Sequence, residues 1–187
     1  LPDIAVKDEA YLALEELAYK NGITVRYISA GDSLRDGLLL INCLHPIEGY
    51  QPANNNAYST VLSVRYNKFS MLLTGDVEGD GESIVIKQLQ KAQKQGVNNI
   101  DQPIQHHILK VAHHGSRNSS SEEFLKLVQP EYAIISCGRD NRYGHPHNEV
   151  LERLKLIGSE ARIIYETGAI TVRTDGEKME VEGYLNN

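Results

Sequence analysis

The sequence predicts an α/β fold in which helices pack in layers against a β-sheet. Apolar, β-branched segments alternate along the chain with segments of helical periodicity, and this alternation is typical of α/β domains. A length of 187 residues, 41% of them hydrophobic, suits a single domain over residues 1–187 with its own core. Hairpin-like strand pairs late in the chain count against a purely parallel, doubly wound sheet.

The first half of the chain predicts two helices and four strands. Clustered leucines at helical spacing indicate a first helix that ends at Gly22, and a second helix ends near Gly96. Two of the strands flank Asn67-Lys68, which predicts a tight hairpin turn. The predicted helices are Asp8–Lys20 and Glu82–Lys94, and the predicted strands are Ile23–Ile28, Gly37–Leu44, Ser59–Tyr66 and Phe69–Thr74.

The second half predicts two more helices between short strands. Ser119–Ser121 can cap a helix that runs to Val128, with Pro130 beyond it, and Gly158 closes the helix after that. The second of these helices is Asn148–Ile157, and the strands are Ile104–Ala112, Tyr132–Cys137, Arg162–Tyr165, Ala169–Arg173 and Met179–Glu182.

Composition excludes several classes of protein. A net charge of −6 argues against a nucleic-acid binder with a basic surface, although a metal site could still attract an anionic phosphodiester. Cys43 and Cys137 are far apart, which argues against a disulfide framework or a zinc knuckle. No signal peptide is recognisable, and the longest apolar run, Leu38–Ile41, is too short to cross a bilayer. We therefore expect a soluble chain, and because it begins with Leu1 we expect a piece of a longer protein.

The first of three polar motifs is Leu72–Asp76, at the end of a predicted strand. An apolar strand runs there into Gly75 and then a carboxylate, which is how α/β proteins often present functional residues. A simple turn explains the same residues, and for this motif alone the turn is the favoured interpretation.

The second motif is the His113-His114 pair, which follows a predicted strand and precedes Gly115. Because successive strand residues point to opposite faces, we expect only one of the two to face a given metal ion. Gly115 would let the backbone turn closely beside an ion. A pair of surface histidines is the alternative, and it is a fair rival for the nearby His106-His107 pair.

The third motif is Asn141–His147, after the strand that ends at Cys137. His145 precedes Pro146, which favours an extended backbone and then the start of a helix. His147 is better interpreted as a neighbour of the helix N-cap than as a ligand. Together the three motifs place one carboxylate and several imidazoles at strand ends, a donor set that suits zinc, manganese or iron.

These motifs resemble, in the same order, the metallo-β-lactamase-like domain of ComEC-type DNA-uptake proteins. The resemblance rests on Leu72–Asp76, Leu109–Ser116 and Asn141–His147, and it runs from about Asn54 to Val172. Residues 1–53 are similar to the less distinctive middle of that domain. The resemblance implies an αββα sandwich, of which this chain would be the C-terminal half, with a two-metal site between its sheets.

The resemblance also implies roles for individual residues. Asp76 corresponds to the carboxylate that bridges two divalent ions, zinc or manganese, while His114 and His145 each correspond to a ligand of one ion. Of the two adjacent histidines, His114 is preferred as the ligand and His113 as a substrate-contacting or proton-handling group, but the two assignments are almost equally supported. The amides Asn54–Asn56 stand where many relatives of the superfamily place another histidine ligand.

The implied chemistry is metal-assisted hydrolysis of a phosphodiester, with Asp76, His113 and His147 as the catalytic residues. His113 or His147 would protonate the leaving oxygen. The substrate would be DNA, with degradation of the strand that is not taken up, or a small phosphodiester hydrolysed by a secreted enzyme. The residues expected to bind it are Ser116, Arg117, Asn118 and Arg142, although for the loop that contains the first three, simple helix capping by Ser119 is an equal alternative.

The superfamily signature His-x-His-x-Asp-His is absent, because His45 is the first histidine and it stands alone. We therefore expect the missing ligands in an upstream half of the same domain, and we expect this chain by itself to be inactive and prone to self-association. The expected location is extracytoplasmic, or attached to a membrane-embedded parent protein. The remaining alternatives are a degenerate domain that never binds metal and a non-catalytic binding or scaffold module.

Overall fold

A mixed sheet of seven strands organises the part of the chain that a computed structural model describes, residues 7–52, 54–95 and 105–185. The strands lie side by side in the order in which they occur in the sequence. They are β1 (Ser33–Asp36), β2 (Leu39–His45), β3 (Val61–Tyr66), β4 (Phe69–Leu73), β5 (Ile108–Lys110), β6 (Tyr132–Ile135) and β7 (Glu160–Ile163).

Five α-helices, two short 3₁₀ helices (Asn56–Tyr58 and Ala112–Gly115) and a separate two-stranded hairpin are the other elements of the described residues. The helices are α1 (Glu9–Lys20), α2 (Gly79–Gln95), α3 (Glu122–Val128), α4 (Asn148–Leu156) and α5 (Ile164–Thr167), and the hairpin consists of β8 (Ile170–Thr174) and β9 (Met179–Gly183). The α/β class predicted from the sequence is confirmed.

The two halves of the sheet differ in strand direction. β1 to β4 are antiparallel, and the predicted turn at Asn67-Lys68 joins β3 to β4, with Asn67 in the left-handed region at φ 53°. β4 to β7 are parallel, and helices α2, α3 and α4 lie in the connections between them. The carboxyl ends of these four strands therefore meet at one edge of the sheet, where α/β proteins place their sites.

The core fixes the parallel half of the sheet against its helices. Leu72 of β4, Leu109 of β5 and Ile135 of β6 are fully buried with Phe124 of α3 and Leu154 of α4. Burial of each such side chain stabilises the fold by about 1.5–3 kcal/mol. The buried core thus fixes the positions of the strand ends that carry the polar motifs.

The N-terminal region differs from the sequence prediction at one predicted strand and one unpredicted strand. The predicted strand Ile23–Ile28 is wrong: only Ile28 makes an isolated bridge, because Ile23 is 62% exposed and the segment lies along α1 without a sheet neighbour. Conversely, β1 was not predicted, since all of its residues are exposed and its sequence has no apolar alternation.

Boundaries elsewhere differ by a few residues. The predicted strand Ile104–Ala112 corresponds to β5, which begins at Ile108 and ends before Ala112, a residue of a 3₁₀ turn. Its predicted start at Ile104 lies outside the described residues, as does the predicted end of the second helix near Gly96. The predicted strand Arg162–Tyr165 ends at Ile163, because the chain turns there into α5, where Gly168 N–H donates to Ile164 O.

Helix α1 leaves its apolar side chains open. None of its residues is buried, and Leu12, Leu14 and Leu17 are each about half exposed at 51%, 49% and 59%. Self-association through such a surface stays a prediction. Within the described residues, no helix is both long and apolar enough to cross a membrane.

Candidate functional site

The three polar motifs meet at the carboxyl edge of the parallel strands. Direct backbone hydrogen bonds join them: His113 N–H donates to Gly75 O at 3.3 Å, and His147 N–H donates to Gly115 O at 2.9 Å. Residues at or beyond the carboxyl ends of β4, β5 and β6 thus form one polar cluster. We call it the edge cluster and define it as Asp76, Glu78, Lys110, His113, His114, His145 and His147.

Asp76 is presented by a tight turn directly after β4. Its backbone N–H donates to Ser59 Oγ at 2.9 Å, and Gly75 before it has φ 55°. A side chain at position 75 would place its Cβ 2.9 Å from Ser59 Cβ, so glycine is required there. The motif is therefore both a turn and a candidate site, because the turn leaves the Asp76 carboxylate 38% exposed beside the histidines.

Lys110 holds this turn from the neighbouring strand, and its part was missed by sequence reasoning. Its Nζ donates to Gly75 O at 2.8 Å and lies 3.8 Å from Asp76 Oδ1. Burial lowers the pKa of Lys110, while the charge of Asp76 opposes the shift. A lysine at the end of an otherwise apolar strand was the available signal.

His113 and His114 lie in a 3₁₀ turn and not in the strand. Their φ values are 45° and 57°, in the left-handed region that non-glycine residues rarely adopt. Because the strand ends at Lys110, the alternation of strand faces does not apply to this pair, and the expectation that only one of the two faces a given metal ion stays a prediction. Both rings lie near His145, with centroids 5.5 Å and 6.3 Å away.

The His114 ring is oriented by the backbone of the next strand. Its Nδ1 lies 2.6 Å from Ser136 O, and because a carbonyl oxygen only accepts, Nδ1 carries the proton. The Nε2 lone pair then faces Asp76 Oδ2 at 3.7 Å. Metal-binding histidines are commonly held in this way by a carbonyl on the other ring nitrogen.

The His113 ring is oriented by a carboxylate instead. Its Nδ1 donates to Glu78 Oε2 at 2.9 Å, and Asn56 Nδ2 lies 3.2 Å from Glu78 Oε1 and 3.4 Å from His113 Nε2. Sequence reasoning missed Glu78, although its position two residues after Asp76 was a signal. Of the three flagged amides, Asn56 reaches the cluster, whereas Asn54 Oδ1 caps the turn at Ala57 N–H.

His145 and His147 complete the edge cluster. The backbone N–H of His145 donates to Asn141 Oδ1 at 2.9 Å, and burial together with the neighbouring imidazoles lowers the pKa of His145. His147 is the N-cap residue of α4, which agrees with its expected position next to the helix start. Its Nδ1 accepts from Arg117 N–H at 3.2 Å, and its ring centroid lies 4.9 Å from that of His145.

The loop expected to bind substrate is firmly held. Ser116 is 4% exposed, and the Arg117 side chain pairs with Glu149 at 3.2 Å rather than extending freely. The Arg153 guanidinium donates to the carbonyls of residues 117, 119 and 120, while Asn118 is exposed. Ser119 does not cap α3, because its hydroxyl donates to Ala112 O and Ser116 O, and Ser121 is the N-cap residue.

The His106-His107 pair lies at the opposite end of β5 and has a packing role. His106 is 2% exposed, with Nε2 2.9 Å from Ser63 Oγ, so the surface interpretation is wrong for this residue. His107 Nδ1 accepts from Ser70 N–H at 3.1 Å. Neither belongs to the edge cluster.

The donors of the edge cluster suit a divalent metal in kind, since imidazoles and carboxylates are the ligands of zinc and manganese. Their spacing is wider than direct coordination requires: among the residues that the structure describes, no three His, Cys, Asp or Glu side chains converge on one point. Asp76 and His114 are within 3.7 Å of each other, and His145 lies beside them without joining a group of three.

Comparisons with known proteins find sequence similarity to competence and recombination proteins. No protein-family model matches it. It is 39% identical over 149 residues to "ComE operon protein 3" of Bacillus subtilis, covering 80% of this chain and 17% of that protein. It is 37% identical over 128 residues to "Recombination protein 2" of Haemophilus influenzae, covering 68% of this chain and 14% of that protein.

A third relative is "Competence protein ComA" of Neisseria gonorrhoeae, which is 37% identical over 105 residues, or 56% of this chain and 14% of that protein. The chain thus spans about a sixth or less of the length of these relatives. The resemblance to ComEC-type competence proteins is therefore confirmed at the level of sequence relationship, while the metallo-β-lactamase-like domain stays a prediction.

Proposed function

We propose that this chain forms part of a metallo-β-lactamase-like hydrolase of phosphodiesters, with DNA as its substrate. The observation that carries the proposal is the meeting of Asp76, His114 and His145 at the carboxyl edge of the parallel strands, beside the Glu78–His113 pair. The names of the relatives add the substrate class, because both competence and recombination concern DNA.

Asp76, His114 and His145 would hold the divalent ions, zinc or manganese. Such ions supply a Lewis acid that activates water and neutralises charge on a phosphodiester. The chain prepares His114 for this role through Ser136 O, which fixes the tautomer and leaves Nε2 available. Lys110 supports Asp76 by holding the carbonyl of Gly75.

The proton-handling role falls to His113. Glu78 holds its Nδ1–H at 2.9 Å, so the opposite nitrogen, Nε2, is the atom that can exchange a proton with the leaving oxygen of a substrate. The Glu78 side chain is only 11% exposed, so water does not readily replace His113 as the hydrogen-bond partner of its carboxylate. His147 is the alternative proton donor, because its Nδ1 accepts from the backbone and its Nε2 therefore carries the proton.

An αββα sandwich is the fold that belongs to this proposal. Leu72 of β4 faces the helices, so the alternation of a strand places Met71 and Leu73 on the other face of the sheet. Their antiparallel partners there are Val64 and Leu62, and all four are only partly buried. A second sheet packed on this apolar face would complete the sandwich.

A DNA-binding module without catalysis is the competing candidate. The observation that favours it is the spacing of the edge cluster, in which no three donors among the described residues converge on one point. A module of this kind would use the cluster to contact DNA and would not require an ion.

The test separates these candidates by measuring hydrolysis of bis(p-nitrophenyl) phosphate and of single-stranded DNA with added Mn²⁺ or Zn²⁺. It uses a longer chain that also carries a His-x-His-x-Asp-His segment, because this sequence lacks that motif. We expect cleavage that chelator abolishes, that Asp76→Ala and His145→Ala remove, and that His107→Ala retains. DNA binding without cleavage by a metal-loaded protein would exclude the hydrolase and leave the binding module.

A further inference from the structure

Tyr143 is a large aromatic side chain held out into solvent beside the edge cluster. It is 60% exposed, and its ring stacks on His145 with centroids 5.6 Å apart and an angle of 22° between the planes. The guanidinium carbon of Arg142 lies 4.7 Å from the Tyr143 ring centroid, and that guanidinium donates to the Tyr143 hydroxyl. A cation and two nearly parallel rings therefore stand together at the rim of the site.

The position of Tyr143 is set by its loop and not by packing in the core. Asn141 Oδ1 accepts from the backbone N–H groups of Tyr143 at 3.2 Å and His145 at 2.9 Å, while Asn141 Nδ2 donates to Gly138 O and His145 O. Gly144, at φ 69°, allows the tight turn between the two aromatic residues. One amide thus presents the ring in a defined place while leaving it accessible.

This arrangement suits a flat aromatic ligand that carries a negative charge next to it. Proteins bind single-stranded nucleic acid by stacking bases on exposed aromatic rings, with basic side chains along the phosphates. Arg142 supplies the basic group, and His145 connects the platform directly to the edge cluster. Because the chain carries a net charge of −6, electrostatic attraction over its whole surface would be weak, and stacking would have to provide much of the affinity.

We propose that Tyr143 is a stacking platform for a nucleobase of single-stranded DNA, placed so that the adjoining phosphodiester reaches the edge cluster. The inference rests on the proposed function in one respect, that the substrate is DNA. It goes beyond that function by assigning base contact to a residue outside the donor set. It also predicts a preference for substrates that carry a base over phosphodiesters that carry none.

The chain contains no tryptophan, so Tyr143→Trp introduces a single fluorescent reporter at the platform. Tyr19→Trp on α1, where the native side chain is 85% exposed, is the matched control. Both variants are titrated with oligo(dT) and with an abasic oligonucleotide of the same length, without metal. We expect saturable quenching of the platform reporter by oligo(dT) only, and no quenching of the control reporter on α1. Equal quenching of the platform reporter by the abasic strand would overturn the proposal.

Anisotropy of labelled oligonucleotides tests the native ring. Tyr143→Leu should weaken oligo(dT) binding about fivefold or more and leave the affinity for the abasic strand unchanged, while Tyr143→Phe keeps the wild-type affinity. Equal oligo(dT) affinity of Tyr143→Leu and wild type would overturn the proposal. Both readouts measure binding in the absence of metal. A protein that stacks bases but does not hydrolyse the phosphodiester bond would therefore contradict the proposed hydrolase and not the stacking platform.

Discussion

The imidazole of His113 and the carboxylate of Glu78 form a hydrogen-bonded pair, with Nδ1 2.9 Å from Oε2 and the Glu78 side chain 11% exposed. His114, the next residue, is held differently, through its Nδ1 and the carbonyl of Ser136. Two adjacent histidines are thus oriented by two independent partners, and a substitution can release one ring without releasing the other.

Glu78→Ala should change the tautomer of His113 and leave that of His114 unaltered. In the wild type, the carboxylate keeps the proton of neutral His113 on Nδ1, and without it the ring loses this preference. Nitrogen chemical shifts of the two imidazoles, measured by NMR above pH 8, report the change. Glu78→Gln is the control, because its amide oxygen still accepts from Nδ1. An unchanged His113 tautomer in Glu78→Ala would contradict the pairing.

Glu82 fastens the loop that follows the histidine turn. It is 5% exposed and accepts from the backbone N–H groups of Ser120 and Ser121, and burial raises the pKa of its carboxyl against the effect of these hydrogen bonds. Glu82→Ala leaves two inward-facing N–H groups without a partner and should lower the free energy of unfolding by about 2 kcal/mol or more. Urea denaturation measures the loss.

Glu122→Ala is the control for this comparison. Glu122 is exposed and pairs with Lys126 one turn further along α3, so its removal should leave the denaturation midpoint nearly unchanged. Equal midpoints for Glu82→Ala and wild type would show that Glu82 does not hold the loop.

His45 should make stability depend on pH. It is fully buried, its Nδ1 donates to Ser59 O at 2.8 Å, and burial lowers its pKa below the ordinary value of 6.5. As pH falls below 6.5 the unfolded chain takes up a proton more readily than the folded chain, so the free energy of unfolding decreases. The contribution of neutral His45 to stability is complete above pH 6.5, and it is lost as the pH falls through the lower pKa that His45 has in the folded chain.

His45→Asn separates this effect from other titrating groups, because asparagine can donate to the same carbonyl and does not titrate. Urea denaturation at pH 5 and pH 7.5 should show that the wild type loses more stability on acidification than the variant. An equal loss in both proteins would rule out His45 as the source.

Gly115 brings two of the three motifs into contact. It has φ 85°, and a Cβ there would lie 2.6 Å from Pro146 Cβ. Backbone strain in Gly115→Ala should lower the free energy of unfolding by about 1–3 kcal/mol. The contact with Pro146 should add to this loss, so that it exceeds that of the control, and should push the His145 segment away from the histidine turn. Gly158→Ala is the control, because its φ of 74° carries the strain with no atom within 4 Å of the new Cβ. Equal losses in both variants would mean that the close contact is unimportant.

The parallel half of the fold was predictable because its signals are local. Strands β4, β5 and β6 are short and mostly apolar, the helices between the strands have clear ends such as the Gly158 stop after α4, and each polar motif lies within a few residues of the end of its strand. The hairpin turn at Asn67 was equally clear. In contrast, the exposed edge strand β1 has no apolar alternation, and its pairing with β2 depends on a neighbour rather than on its own sequence.

The edge cluster was only partly predictable for a related reason. Its histidines and Asp76 stand in recognisable motifs, but Glu78 and Lys110 gain their roles from contacts across 35 residues or so in sequence. The position of both His113 and His114 beside His145 depends on a left-handed turn, which residues other than glycine rarely adopt. Tertiary contacts overrode local preference at these positions.

Calorimetric titration of this chain with Zn²⁺ or Mn²⁺ tests the central claim most directly. We predict saturable, weak binding of at least one ion per chain that Asp76→Ala and His114→Ala each abolish, because these two side chains face each other at 3.7 Å. His107→Ala, whose side chain lies at the other end of β5, should bind as the wild type does. Absence of saturable binding for both ions, or binding that survives Asp76→Ala unchanged, would contradict the assignment of a metal centre to the edge cluster.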